Sequence, residues 1–313
     1  MDPISALLDA PRARDAFVLR AIMAPPWSLR IQDEAALTVV AMTRGSSVWE
    51  RAGEVFPVGT GDVVLLTGPT PYVVADRPGR APFAIVQPGN LPESPTGEPL
   101  SVPLTQGIRR WGNSPDGPDE MLVGNYQRVG EAGSRLLAVL PDTVVLRAAE
   151  WRSPLVPLLL DEMAGEEVGQ ASLLDRLLDA LVVSAVRQWA LSRGDAAPAW
   201  LDASSDPAVA AALRLVHDRP GEPWSLVALA RAVGVSRAAL AKRFRDRVGE
   251  SPMAYLTGWR MALAADRLRA SSDTVARVAA EVGYPSPFSF SNAFKRVYGV
   301  SPTAYRSSLS SPA

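Results

Sequence analysis

The side chains with the most chemical reach in this chain are cations near its C-terminal end. Arg237, Lys242, Arg243, Arg245 and Arg247 fall close together, and Lys295 and Arg296 recur in a similar setting some fifty residues on. Such groups neutralise phosphate, and a well-placed one reads the edge of a base. Other chemistry is mostly closed to the chain. Among 313 residues there is no cysteine and one histidine, His217. Thiolate nucleophiles, disulfides and zinc–thiolate sites are excluded, and one imidazole cannot build a His-rich metal centre. His217 falls near the end of a helix starting at Pro207, where a cation favours the dipole, and reads as structural or solvent-facing. Glu162, Glu166 and Glu167 read as solvated carboxylates, not as a catalytic pair. Gly59-x-Gly61 lacks the lysine and helix of a phosphate loop and reads as a hairpin turn. No catalytic residue, metal site or cofactor is expected.

The formal net charge of −1 conceals a split. Residues 206–313 carry 15 Arg and Lys against 8 Asp and Glu, a surplus of seven; residues 1–205 carry 17 against 25, a deficit of eight. Only the C-terminal part is therefore expected to meet a polyanion. No apolar run reaches the ~20 residues of a membrane span. Asp2, Asp9 and Asp15 are unlike a secretory signal, so a cytoplasmic protein with no membrane partner is expected.

The elements that must hold the cations repeat. Leu229-Ala230, Val233-Gly234 and Val235 recur 49 positions later as Val278-Ala279, Val282-Gly283 and Tyr284. Leu240, Phe244-Arg245, Gly249, Ser251-Pro252 and Tyr255 recur 50 positions later as Phe290, Phe294-Lys295, Gly299, Ser301-Pro302 and Tyr305. The extra residue falls at the turn after the glycine, where a duplicated helix–turn–helix tolerates insertion. In the first unit, about 226–248, Leu226, Leu229, Ala230 and Val233 give a short helix its core face. Gly234 ends it and Ser236 caps the next helix. Leu240 and Phe244, one turn apart, anchor that second helix and leave the basic residues outside. In the second unit, about 274–298, Asp273 or Thr274 starts the first helix, Gly283 ends it and Ser286 caps the second. Phe290 and Phe294 anchor it, with Asn292, Lys295 and Arg296 outside. A short helix, a glycine turn and a second helix with polar, basic outer faces is the arrangement that enters a major groove. The helical region 206–313 opens with Asp206 as N-cap before Pro207.

Residues 1–150 read differently. Leu37–Met42, Asp62–Thr67, Tyr72–Val74, Phe83–Val86 and Leu136–Leu140 are β-branched or apolar runs separated by Gly and Pro, and they read as strands of a sandwich or barrel. Pro88 to Pro118 reads as a long loop. From Trp151 to residue 205 the apolar period becomes helical. Leu155, Leu158 and Leu159 open one segment, Gly165 to Gly169 breaks it, and Ser172 caps a second helix. Its stripe includes Leu174, Leu177, Leu178, Leu181 and Ala185. That stripe is wide enough to face both the β domain and a second subunit, so a homodimer is expected through these residues. Gly194 to Pro198 reads as a linker.

The repeat resembles the DNA-binding domain of the AraC/XylS family of transcription regulators. The resemblance is carried by Ala228-Leu229-Ala230, Gly234-Val235-Ser236, Leu240-x-x-x-Phe244-Arg245, Gly249-x-Ser251-Pro252 and Tyr255. It continues through Arg260-Met261-x-Leu263-Ala264, Val278-Ala279, Val282-Gly283-Tyr284, Phe294-Lys295-x-x-x-Gly299-Val300-Ser301-Pro302 and Tyr305-Arg306. It implies a linking helix, here about Ala254 to Ala270, that sets two recognition helices about 34 Å apart on one face of double-stranded DNA. It places base-reading positions on Ala238, Ala241 and Lys242, and on Pro287, Phe288, Ser291 and Asn292. Arg237, Arg243, Arg245, Ser286, Lys295 and Arg296 complete the expected DNA-binding set. Two alanines and a Pro-Phe pair leave few groups for bidentate readout, so thymine methyls and DNA shape are expected to carry more of the specificity.

The β-rich half resembles the cupin-type effector domain joined to a subset of that family. Pro57-x-Gly59-x-Gly61-Asp62-x-x-x-Leu66 and Tyr72, preceded by Trp27-x-Leu29-Arg30, carry this resemblance. Catalytic cupins hold metal through histidines, and this half has none, so the resemblance implies a binding barrel. Trp27, Arg30, Trp49, Tyr72, Trp111 and Tyr126 are the candidate ligand contacts. An apolar or anionic small-molecule effector is expected, with RNA polymerase as a further partner. The expected whole is a cupin-like barrel, a helical linker and dimerisation segment, and an all-α domain with two helix-turn-helix units. The competing reading is a non-catalytic interaction protein whose barrel recruits a protein partner to DNA.

Overall fold

The computed structural model describes residues 17–107, 109–138, 140–165, 167–193 and 206–308. Glu166 and the 194–198 linker lie outside the described residues. Among the described residues the chain divides into two compact units: one holds 17–129 and 137–189, the other 130–136 and 190–308.

The first unit is built from strands β1 (Phe17–Met23), β2 (Ser28–Ile31), β3 (Leu37–Arg44), β4 (Ser46–Arg51), β5 (Glu54–Gly59), β6 (Val63–Thr67), β7 (Tyr72–Ala75), β8 (Ala84–Gln87), β9 (Leu91–Glu93), β10 (Arg110–Trp111), β11 (Asp119–Tyr126) and β12 (Thr143–Leu146). They form two six-stranded sheets, ordered β10-β1-β11-β3-β6-β12 and β5-β4-β7-β2-β8-β9. Both sheets contribute to one core, with Met23, Val40, Met42 and Val64 from the first and Leu29, Trp49, Val58 and Val74 from the second. Alternation explains β4, where Ser47, Trp49 and Arg51 are buried between less buried neighbours. The central strands β3, β6 and β11 are buried along nearly their whole length, because both of their faces are covered.

One cover is helical. Short α1 (Ser101–Leu104) lies in the segment read as a loop, which also holds β9 and β10. Helix α3 (Leu155–Met163) is followed by α4 (Gln170–Arg193), which starts two residues before the expected Ser172 cap. Gly124 on β11 leaves room for Leu178 of α4: a Cβ there would lie 2.3 Å from Leu178 Cδ1. The Tyr126 hydroxyl donates to Asp179 Oδ1 at 2.9 Å. Leu174, Leu178, Leu181 and Ala185 are fully buried and Leu177 is half-buried within the single chain. The stripe expected to face a second subunit is thus consumed by the fold itself, a correction that the periodicity of one helix could not supply.

Two further expectations change. Gly59 to Asp62 is a corner between the sheets, not a hairpin, since β5 pairs with β4 while β6 pairs with β3 and β12. Asp62 accepts hydrogen bonds there from the Gly59 and Ala148 amides and from Arg147. The run Leu136–Leu140 is not a strand. Helix α2 (Glu131–Leu137) occupies its start, and β12 begins at Thr143.

The second unit is helical. Helix α5 (Pro207–Asp218) is capped by the Asp206 carboxylate, which accepts from the Ala208 and Val209 amides. The pair α6 (Leu226–Ala232) and α7 (Arg237–Val248) leads into α8 (Pro252–Ala270); α9 (Val275–Glu281), α10 (Pro287–Tyr298) and α11 (Pro302–Ser308) follow. Helix α8 packs against α7, α9, α10 and α11, so one rod buttresses both recognition helices. Residues 130–136 belong to this unit: Asp266 of α8 accepts from the Glu131 amide at 2.7 Å and the Ala132 amide at 3.2 Å. Arg135 pairs with Glu250 at 3.1 Å, and Arg269 with Glu131 at 3.0 Å.

Candidate nucleic-acid interface and interior cavity

Each half of the repeat closes on the same local devices. Ser225 and Thr274 cap the leading helices, and Ser236 and Ser286 cap the recognition helices; each hydroxyl accepts from the amide three residues on. Thr274 thus takes the role that the sequence left open between it and Asp273. Gly234 and Gly283 take φ of +72° and +79° in the turns, which a side chain resists. The Val235 amide reaches back to the Ala230 carbonyl at 3.0 Å, and Tyr284 to Ala279 at 2.9 Å. Leu240 and Phe244, and likewise Phe290 and Phe294, are fully buried. These anchors fix which faces of α7 and α10 remain outside.

The outward residues line up. Ala238, Ala241, Lys242 and Arg245 occupy positions i, i+3, i+4 and i+7, a single helical face, and Phe288, Ser291, Asn292 and Lys295 repeat it fifty residues on. Arg237, Ala238, Lys242, Arg243, Arg245, Pro287, Asn292, Lys295 and Arg296 are exposed, and Ala241, Ser286 and Ser291 are partly exposed. Phe288 is 77% exposed on a helix whose other two phenylalanines are fully buried. Lys242 pairs with Asp246 at 2.7 Å in solvent. Arg243 lies 3.9 Å from Asp206. No described residue forms an ion pair with Arg237, Arg245, Lys295 or Arg296, so their charges stand open to an anion.

His217 has a structural place. It is buried, its Nε2 lies 2.7 Å from the Tyr255 hydroxyl, and its ring packs on Trp259 with centroids 4.6 Å apart.

The first unit holds a cavity of about 110 Å³ between its sheets. Trp49, Tyr72 and Trp111 line it, with Leu19, Ile31 and Val86 among its apolar walls. Trp49 and Tyr72 stack nearly parallel, 5.5 Å between centroids. The other three candidate ligand contacts do not line it. Trp27 is fully buried and donates to Asp119 Oδ2 at 2.8 Å; Arg30 is exposed and bonds Gln32; Tyr126 is tied to α4. The polar lining was not foreseen: Asp33, Thr38, Asn90 and Asn125. Asn125 Nδ2 donates to Asp33 Oδ2 and to Asn90 Oδ1, the latter at 3.2 Å. Asn90 sits at φ +60°, a region asparagine tolerates better than most residues. Burial pushes the Asp33 carboxyl above its ordinary range, against hydrogen bonds from the Ala35 amide and Asn125. Among the described residues no group of three or more His, Asp or Glu could hold a metal ion.

The Cupin family model matches residues 2–190 and the Helix-turn-helix domain model matches 229–308. An AraC-like transcription regulator of Streptomyces antibioticus is 30% identical over 98% of both chains, and one of Streptomyces lividans is 29% identical over 98% of both. Among solved structures, the DNA-binding domain of AdpA in complex with a target DNA matches at 30% identity over 33% of this chain and 92% of that one, with a TM-score of 0.32. With two helix-turn-helix units behind a cupin domain, and a full-length relative at this identity, the chain belongs to the AraC-like family of DNA-binding transcription regulators.

Proposed function

We propose that this regulator is controlled by a small molecule that occupies the cavity of its cupin domain, and that it acts on DNA in the cytoplasm. The observation that carries this reading is the cavity itself: aromatic and aliphatic walls closing on a few convergent polar groups. That is the general make-up of a small-molecule site. On the DNA side, Lys242 and Asn292 are the polar groups best placed to read base edges. Phe288 offers apolar contact to a thymine methyl, and Arg237, Arg245, Lys295 and Arg296 hold phosphates. One chain presents two recognition helices and so addresses two groove segments without a second copy.

The test is a thermal-shift screen of the full-length protein against small metabolites, followed by DNA binding with and without each hit. A hit that changes operator affinity supports the reading. A cavity-filling variant such as Val123→Trp that remains folded, yet still responds fully to the hit, refutes it.

A further inference from the structure

The cavity has a chemical direction. Asp33 is 6% exposed, and its two oxygens accept only from neutral donors, Oδ1 from the Ala35 amide at 3.2 Å and Oδ2 from Asn125. No Arg, Lys or His pairs with it among the described residues. The buried Arg51 spends its guanidinium on carbonyl oxygens of Asp142, Thr67 and Gly68. A carboxylate held in an apolar interior without a cation is costly, and proteins ordinarily pair such a charge. The walls beside it are the aromatic rings of Trp49, stacked on Tyr72, and of Trp111; they supply apolar surface, and no Arg, Lys or His is among the lining residues to neutralise Asp33.

We propose that the ligand of this cavity is a small organic amine, its ammonium paired with Asp33 and its apolar body lodged among Trp49, Tyr72 and Trp111. This differs from the apolar or anionic effector expected from the sequence, since an aspartate and no arginine lines the cavity. Asn125 holds the carboxylate through its Nδ2, from which Asn90 Oδ1 also accepts, and the Thr38 hydroxyl adds a further polar group to the lining. The volume limits the buried body to one small ring or a short branched chain: a cavity of roughly 150 Å³ takes up benzene. The inference rests on the reading of the cupin domain as a small-molecule sensor, and the two fail in different ways.

Two matched series, titrated calorimetrically into the full-length protein, make the test: benzylamine, benzyl alcohol and benzoate, and isobutylamine, isobutanol and isobutyrate. In at least one series the amine should bind ten times or more tighter than the alcohol, with the carboxylate weakest. Asp33→Asn should bring the amine and alcohol within about twofold of each other. If that variant does not fold, the wild-type ratio decides alone. An alcohol or carboxylate that binds as tightly as its amine overturns the amine assignment and leaves the sensor reading standing. An amine preference that survives Asp33→Asn overturns the role of Asp33. Absence of saturable binding by all six overturns both, whereas amine binding that leaves DNA affinity unchanged overturns only the sensor reading.

Discussion

The Lys242 ammonium lies 2.7 Å from the Asp246 carboxylate, one turn further along the first recognition helix, with both groups in solvent. An exposed pair of this kind contributes between nothing and about 1 kcal/mol, so DNA can displace it at little cost. Asn292 holds the equivalent position of the second unit, where no acidic residue follows one turn on. Lysine suits the O6 and N7 of guanine, and asparagine the N6 and N7 of adenine, so the two units are expected to prefer different bases. Lys242→Ala should cost about 1–3 kcal/mol on the operator and relax one base preference. Asp246→Ala should tighten all DNA sequences alike by removing a negative charge from the approaching face. Fluorescence anisotropy on a selected operator and its point variants checks both. Uniform weakening by Lys242→Ala would place that lysine on phosphate.

Arg245 and Lys295 occupy equivalent positions at the far end of the outward face, and neither has an ion-pair partner among the described residues. Arg245→Ala and Lys295→Ala should each weaken specific and random DNA to the same extent. Each should also make the slope of log affinity against log salt shallower by ~0.9, the loss of one phosphate contact. The double variant should lose twice that slope, because the two residues lie on different helices and are expected to meet different phosphates. A slope unchanged by either substitution removes that side chain from the interface.

The helix-turn-helix units were legible because their determinants are local. A capping serine, a turn glycine and two apolar anchors one turn apart all lie within about twenty residues, and the duplication states them twice. The elements that differ from the sequence expectation depend on distant partners. Leu136–Leu140 has a strand-like composition, yet the segment before it becomes a helix whose first amides are held by Asp266, 135 residues away from Glu131. The apolar stripe of α4 looked surplus because nothing near it in sequence announces Gly124, the glycine that admits Leu178. Asp33, Asn90 and Asn125 went unnoticed for the same reason: three common polar residues in separate segments form no motif. The one hint was an aspartate two residues beyond the end of β2, in a sequence position that the fold buries.

Close packing of Leu178 on Gly124 yields a prediction opposite to a dimer interface. Leu178 is completely buried, so Leu178→Asp should prevent folding of the cupin domain instead of giving a folded monomer. Leu178→Ala should cost about 2–5 kcal/mol. Gly124→Ala should also destabilise, since its Cβ would meet Leu178 Cδ1 at 2.3 Å and Val39 Cγ1 at 3.0 Å. Combined, the two alanine substitutions should cost less than their sum, because the new methyl enters space that Leu178 vacated. Chemical denaturation of the four proteins closes this cycle, and strict additivity would show that the two residues do not share that space.

Acid sensitivity of the cupin domain follows from Glu120. Burial pushes its carboxyl up, but hydrogen bonds from Arg20 at 2.7 Å and Thr43 at 2.9 Å, with the Arg20 and Arg44 charges, outweigh burial and hold it below its ordinary value. A group depressed in the folded state adds stability that is fully present above its unfolded value, near 4.5, and is lost as pH falls through the folded one. Asp62, also held low, acts with the same sign; Asp33, pushed up by burial, acts with the opposite one. Glu120→Gln should therefore lower the melting temperature at neutral pH and flatten its decline below about pH 4.5. Parallel melting curves for the two proteins from pH 7 to pH 3 would remove Glu120 from this account.

Phe288 separates base reading from stability more cleanly than any cation does. Its ring is 77% exposed, at the second position of a helix held by the buried Phe290 and Phe294. An exposed aromatic contributes little to the folded state, so Phe288→Ala should leave the melting temperature within a degree or two, in keeping with the ±0.5 kcal/mol typical of surface changes. Its loss should be felt on DNA. Phe288 carries no charge, so the salt slope should stay constant while affinity for the operator falls and affinity for random DNA does not. The base whose contact is lost should be a thymine, and replacing that thymine with uracil in the wild-type complex should reproduce the same loss by removing only the methyl group. If Phe288→Ala lowers affinity for every sequence equally, or if uracil is accepted as well as thymine at every operator position, the ring does not read DNA.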